Sequence, residues 1–236
     1  MASPLFIIQN DPQVPPGIVS ELLDERRIPF RLIRVDAGET VPAADEAAAV
    51  IVLGGVMGAG EDDTYPFLRE VKRLIRECVA RDVPFLGICL GGQLLSEVLG
   101  TPVAAGSRGE RGLCRVRLTT EGAADPLFRG VPLEFITYQW HNDSFDLPKG
   151  CRLLASSPVC PQQAICHGSA VYGVQFHPEV NTNIVTSWNG DAARNARYLP
   201  LFLRAEEEYL ASARTLLDNF FQIANLVPST IEEDAP

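Results

Sequence analysis

Short runs of consecutive apolar residues alternate, over the first hundred positions, with stretches in which apolar residues recur every three to four places. Pro4–Gln9 and Ala49–Leu53 are runs of the first kind, the pattern of strands buried on both faces. The second runs into Gly54-Gly55. Between them, the polar, proline-rich stretch Asn10–Gly17 reads as a loop and Ile18–Arg26 as a short helix. Phe30–Val35 alternates apolar and charged residues, as a strand covered on one side would. From Tyr65 to Arg81, Phe67, Leu68, Val71, Leu74, Ile75, Cys78 and Val79 fall on one helical face. Asp62, Asp63 and Thr64 precede this helix as capping candidates, and Pro66 suits its first turn. Pro84–Cys89 then reads as a buried strand and Gly91–Leu99 as a helix. This alternation predicts an α/β fold with a mostly parallel sheet and helices on both faces.

From Gly112 the pattern turns to β: Leu113–Thr120, Leu133–Tyr138, Arg152–Ala155, and the pair Gln163–Cys166 and Ala170–Phe176 around His167-Gly168. The pattern weakens after Glu179, and Asn181–Arg204 supports no assignment. Ala205–Asn225 reads as a helix with Ala213, Leu217, Phe220, Phe221 and Ala224 along one face. Residues 1–226 carry no repeat, low-complexity block or boundary signal and are expected to form a single domain. Residues 227–236 are polar and acidic and are expected to be a flexible tail.

Charge narrows the partners. The net charge is −10, whereas phosphate-backbone binding needs a surplus of Lys and Arg, so nucleic acid is not expected. No run approaches the roughly 18 apolar residues of a membrane span, and no secretory signal opens the chain. The six cysteines are scattered without a C-x-x-C pair, which points to free thiols in a cytoplasmic protein and gives no zinc pattern. No cofactor or metal is called for.

The segment Gly87-Ile88-Cys89-Leu90-Gly91-Gly92-Gln93 follows the plan glycine, any residue, nucleophile, any residue, glycine. The chemistry needs a sharp turn from a buried strand into a helix, and the glycines let the backbone pass close to its neighbours. Such a turn presents the sulfur above the strand ends, where the unpaired amides of the helix start favour a thiolate. Taken alone, the segment fits a buried core cysteine equally well.

The second candidate is Val174-Gln175-Phe176-His177-Pro178-Glu179. A residue before proline is pushed to an extended conformation, and in extended chain residues two apart share a side. Glu179 is thereby placed to hold one imidazole nitrogen of His177 while the other faces a nucleophile, the logic of a catalytic triad. Taken alone, the motif fits a strand-terminal turn with a surface glutamate better.

Taken together, Gly87–Gln93 and Gly173–Glu179 resemble the signature pair of class I, or triad, glutamine amidotransferases, in particular stand-alone members like the glutaminase part of GMP synthase. Leu53-Gly54-Gly55-Val56-Met57, Tyr65-Pro66-Phe67-Leu68 and Gln139-Trp140-His141-Asn142-Asp143-Ser144-Phe145 agree with it, and the likeness covers roughly residues 5 to 185. It implies a flavodoxin-like open, mostly parallel twisted sheet with an additional β-rich region. It also implies that Cys89 attacks the side-chain amide of L-glutamine or a γ-glutamyl compound, with His177 as base and Glu179 as its support. The oxyanion hole would draw on the amides of Leu90 and of the turn at Gly55 and Val56. Gln93 and the backbone around Trp140, His141 and Asn142 would lie against the substrate. The sequence departs from better-known members at Val56, where they carry proline, and at Ser107–Gly112.

Three activities fit these motifs: a glutaminase supplying ammonia to a separate synthetase, a stand-alone γ-glutamyl amide or peptide hydrolase, and a non-catalytic redox sensor built on Cys89. The oriented base argues against the third, since a sensor needs only a low-pKa thiol. No ATP-binding P-loop is present in the sequence, so acceptor chemistry is expected on another chain.

Overall fold

The computed structural model describes residues 3–227. Along the chain run β1 (Leu5–Gln9), α1 (Ile18–Glu25), β2 (Phe30–Arg34), β3 (Ala49–Val52), α2 (Phe67–Arg81), β4 (Phe85–Ile88) and α3 (Leu90–Val98). There follow β5 (Val103–Ala104), β6 (Glu110–Leu118), α4 (Thr120–Ala124), β7 (Glu134–His141), β8 (Ser144–Phe145), β9 (Cys151–Ser156), β10 (Ala164–His167) and β11 (Val171–Val174). Two helices close the described chain, α5 (Thr182–Asn189) and α6 (Ala192–Ile223).

Nine strands form one open mixed sheet in the order β2-β1-β3-β4-β11-β10-β9-β6-β7. Pairing is parallel from β2 through β11 and antiparallel from there to β7. The parallel part is the flavodoxin-like sheet, and the β-rich region extends that same sheet. Alternation along β1 sorts the two apolar layers. Leu5 and Ile7 face the layer filled by Leu22 of α1 and Phe220 of α6, whereas Phe6 and Ile8 face Val71 and Leu94 of α2 and α3.

One pairing matters most for function. β11 lies beside β4 in parallel register, Gly173 opposite Gly87 and Val174 opposite Ile88. The residues that leave these two strands therefore emerge side by side at one sheet edge.

Two expectations need correction. Asp62, Asp63 and Thr64 do not cap α2: Pro66 occupies the N-cap position and makes no side-chain cap bond. Asp62 instead meets Lys72 Nζ at 2.6 Å, and Lys72 also reaches Glu97 at 2.8 Å. A buried ammonium is a stronger attraction for a carboxylate than an exposed helix end. The last helix begins at Ala192, well before Ala205, and α5 precedes it. Pro200 within α6 and the exposed Leu201 and Leu203 blur the amphipathic period there. Helix starts are set instead by Asn181, which accepts from the Ile184 amide at 3.0 Å, and Asp191, which accepts from the Arg194 amide at 2.8 Å. The acidic tail lies outside the described residues, Val227 apart. All six cysteines are free, and no helix of the described residues is long and apolar enough to cross a membrane.

Candidate active site

Cys89 sits between β4 and α3 with φ 51° and ψ −105°, a conformation that costs a non-glycine residue on the order of 1–3 kcal/mol. The surroundings enforce it. The Cys89 amide donates to the Val174 carbonyl of β11 at 2.8 Å. Gly91 passes so close to β3 that a Cβ there would lie 2.2 Å from the Val52 carbonyl oxygen. The sulfur-bearing residue is nearly buried and lines a cavity of about 300 Å³, at the low end of the usual range for ligand pockets.

His177 reaches the same cavity from β11. Its amide donates to the Tyr138 carbonyl at 2.9 Å, and its carbonyl accepts from the Tyr209 hydroxyl of α6 at 2.8 Å. Nδ1 of the ring lies 2.6 Å from Oε1 of the fully buried Glu179. Nε2, the other ring nitrogen, is buried without a hydrogen-bond partner. A Cβ placed on Gly54 would lie 3.1 Å from His177 Cε1 and 3.6 Å from Cys89 Cβ, so thiol and ring flank the same glycine. Burial by itself disfavours the charged ring. Glu179 and then Cys89 outweigh it, and the imidazole pKa is raised to about 10.

The amides of Gly55 and Leu90 donate to no protein group among the described residues. The Val56 amide behaves differently. It donates to Asp11 Oδ2 at 3.2 Å, which engages one of the expected oxyanion donors elsewhere.

Behind the sulfur runs a buried chain of polar side chains that was not foreseen. Gln175 Nε2 lies 3.6 Å from Cys89 Sγ. Gln93 Nε2 donates to Gln175 Oε1 at 3.3 Å and to the Asp143 carbonyl at 3.2 Å. His141 Nδ1 donates to that carbonyl at 3.0 Å, and its Nε2 faces Glu110 Oε2 at 3.3 Å. Gln93 and His141 are thus engaged within the protein, and they line the cavity together with Trp140 and Asn142. Asn142 Oδ1 accepts from Arg111 at 3.0 Å, and the Arg111 guanidinium lies 4.8 Å from the centre of the Trp140 ring. Glu110, His141 and Cys160 bring potential metal-ligand atoms within 4.8 Å of one another. Those atoms are engaged by hydrogen bonds, Glu110 with Ser157 and Gln163, Cys160 with Ser144 at 3.1 Å, so the cluster reads as a structural network.

The cavity also contains residues to which no sequence motif pointed. Trp188 of α5 lines it, its ring centre 4.8 Å from that of His177 at 76°, and its indole N–H donates to the Gln13 carbonyl at 2.6 Å.

The profile of the glutamine amidotransferase class I family matches residues 17–185. The chain belongs to this family. It is 35% identical over 173 residues to the glutamine amidotransferase-like protein YfeJ of Salmonella typhimurium, covering 72% of each chain. It is 43% identical over 101 residues to the glutamine-hydrolysing GMP synthase subunit of Thermococcus kodakarensis, covering 42% of this chain and 52% of that one. That match thus spans about half the length of the archaeal protein. Among solved structures, a glutamine amidotransferase from Methylobacillus flagellatus superposes with TM-score 0.84 at 26% identity, covering 94% of this chain and 96% of the other. One from Thermotoga maritima gives 0.74 at 28%, covering 96% and 95%. As a class I glutamine amidotransferase, the chain is notable for Trp188 and Tyr198, which lie beyond the profile's last matched residue, yet Trp188 packs on His177 and Tyr198 on Trp140.

Proposed function

We propose that the chain hydrolyses the side-chain amide of glutamine through a Cys89 thioester and hands the ammonia to an acceptor enzyme on another chain. The observation that carries this reading is the convergence of the strained Cys89 elbow and the His177–Glu179 pair, 2.6 Å apart, on one cavity. Family membership and the relatives named for glutamine hydrolysis support it.

In this mechanism His177 Nε2 already holds the proton that Cys89 gives up, Sγ attacks the amide carbon, and Glu179 stabilises the imidazolium. The carbonyl oxygen becomes an oxyanion between the free amides of Gly55 and Leu90. Removing one such donor typically costs about a hundredfold or more in rate. The imidazolium then gives its proton to the departing nitrogen, the C–N bond breaks and ammonia leaves. Water, deprotonated by His177, attacks the γ-glutamyl thioester; glutamate is released and the thiol restored.

Intact-mass measurement after rapid mixing with glutamine tests this. The expected adduct is a γ-glutamyl group on Cys89 that is absent in Cys89→Ala. A Cys89→Ala chain that released ammonia at the parental rate would overturn the assignment.

A further inference from the structure

The general acid in this chemistry must touch the departing nitrogen, so whatever that nitrogen carries must fit beside His177 Nε2. The space around the ring is tightly bounded. Nδ1 is taken by Glu179, and the Cε1 edge faces Gly54 closely, 3.1 Å from where a Cβ there would lie. Nε2 is buried, with no hydrogen-bond partner among the described residues. Beside Cys89, the ring also meets Trp188, edge-to-face on the imidazole with ring centres 4.8 Å apart. Trp188 is not a loosely placed side chain. Its N–H is held by the Gln13 carbonyl at 2.6 Å, and its ring packs on Tyr138 and Trp140, each 6.1 Å away between centres.

We infer that Trp188 is a specificity-determining residue that restricts the leaving group to ammonia, making the chain selective for primary γ-amides over N-substituted γ-glutamyl amides. The inference rests on the glutaminase reading above and decides between its two substrate classes. A methyl on the departing nitrogen, brought beside His177, would press on the indole that the Gln13 carbonyl holds in place, and moving a packed ring to admit one added carbon is costly.

The test compares L-glutamine with L-γ-glutamyl methylamide on the full chain, reading Cys89 acylation by intact mass and kcat/KM by glutamate release. The parental chain is expected to prefer glutamine by about a hundredfold, the scale on which a pocket rejects one surplus carbon. Trp188→Ala should narrow that ratio by about tenfold or more, and Trp188→Phe, which keeps a ring, should hold it within about threefold. A ratio within one protein is insensitive to how much of it is folded; if the alanine variant is insoluble, Trp188→Leu carries the same expectation. Equal use of both substrates by the parental chain would overturn the inference, as would an unchanged ratio in the variants, while leaving the glutaminase reading intact. Absence of any Cys89 acylation or glutamate release with either substrate would overturn that reading and this inference with it.

Discussion

Oε1 of Glu179 lies 2.6 Å from Nδ1 of His177, and the second oxygen of that buried carboxylate has no other hydrogen-bond partner. A carboxylate removed from water with a single partner is tolerated only if that partner supplies much of the missing stabilisation. The imidazole does so by holding its proton, which is the physical origin of its raised pKa.

Glu179→Gln removes the largest force raising the His177 pKa. The ring is expected to titrate well below its parental value, followed by nitrogen-detected NMR of the imidazole, and glutaminase turnover should fall by about a hundredfold or more. The stability consequence has a definite sign. The folded pKa, about 10, lies above that of an unfolded histidine, about 6.5. The pair therefore stabilises the fold fully below the lower value and loses that contribution as pH rises through the higher one. Denaturant midpoints of parent and variant should converge between pH 7 and pH 10.5; a gap that widened would contradict the assignment.

Strain at the elbow makes a separate prediction. Cys89 occupies φ 51°, a region open to glycine but costly for any side chain. Cys89→Gly should unfold at higher denaturant than Cys89→Ala, by roughly 1 kcal/mol, with both inactive. Equal midpoints would show that the turn is relaxed.

Gln175 should act on the nucleophile without touching substrate. The Asp143 carbonyl can only accept, so Gln93 must present its NH2 group, Gln175 must present its oxygen to Gln93, and its own NH2 group faces the sulfur. Gln175→Leu deletes that donor and leaves Gln93 short of an acceptor. Alkylation of Cys89 by iodoacetamide at pH 7 is expected to slow about tenfold, with kcat falling and KM little changed, and stability dropping by about 1–3 kcal/mol. An unaltered alkylation rate would reduce Gln175 to a packing role.

Lys72 offers a test remote from the site. It is buried between Asp62 and Glu97, so Lys72→Ala leaves two partly buried carboxylates facing one another. Thermal unfolding should show a loss of about 2–4 kcal/mol, with glutaminase activity unchanged in the folded fraction.

Local rules carried most of the frame. Strands β1, β3 and β4 were readable because a parallel sheet covered on both faces demands unbroken apolar runs. Glycines at set distances marked the turn at Cys89, and extended chain put His177 and Glu179 on one side. Each motif alone fitted a structural reading, and only the two together, through their likeness to the family's signature pair, singled these residues out. Apolar runs, glycine spacing and alternation are each a constraint between near neighbours in the chain. The sheet register that sets Val174 beside Ile88, the capture of the Val56 amide by Asp11, the diversion of Asp62 to Lys72 and of Gln93 to Asp143, and the seating of Trp188 against His177 from a segment without periodicity are of another kind. They join groups ten or more residues apart, and such contacts arise from packing and from competition among buried polar groups, neither of which leaves a short-range signature.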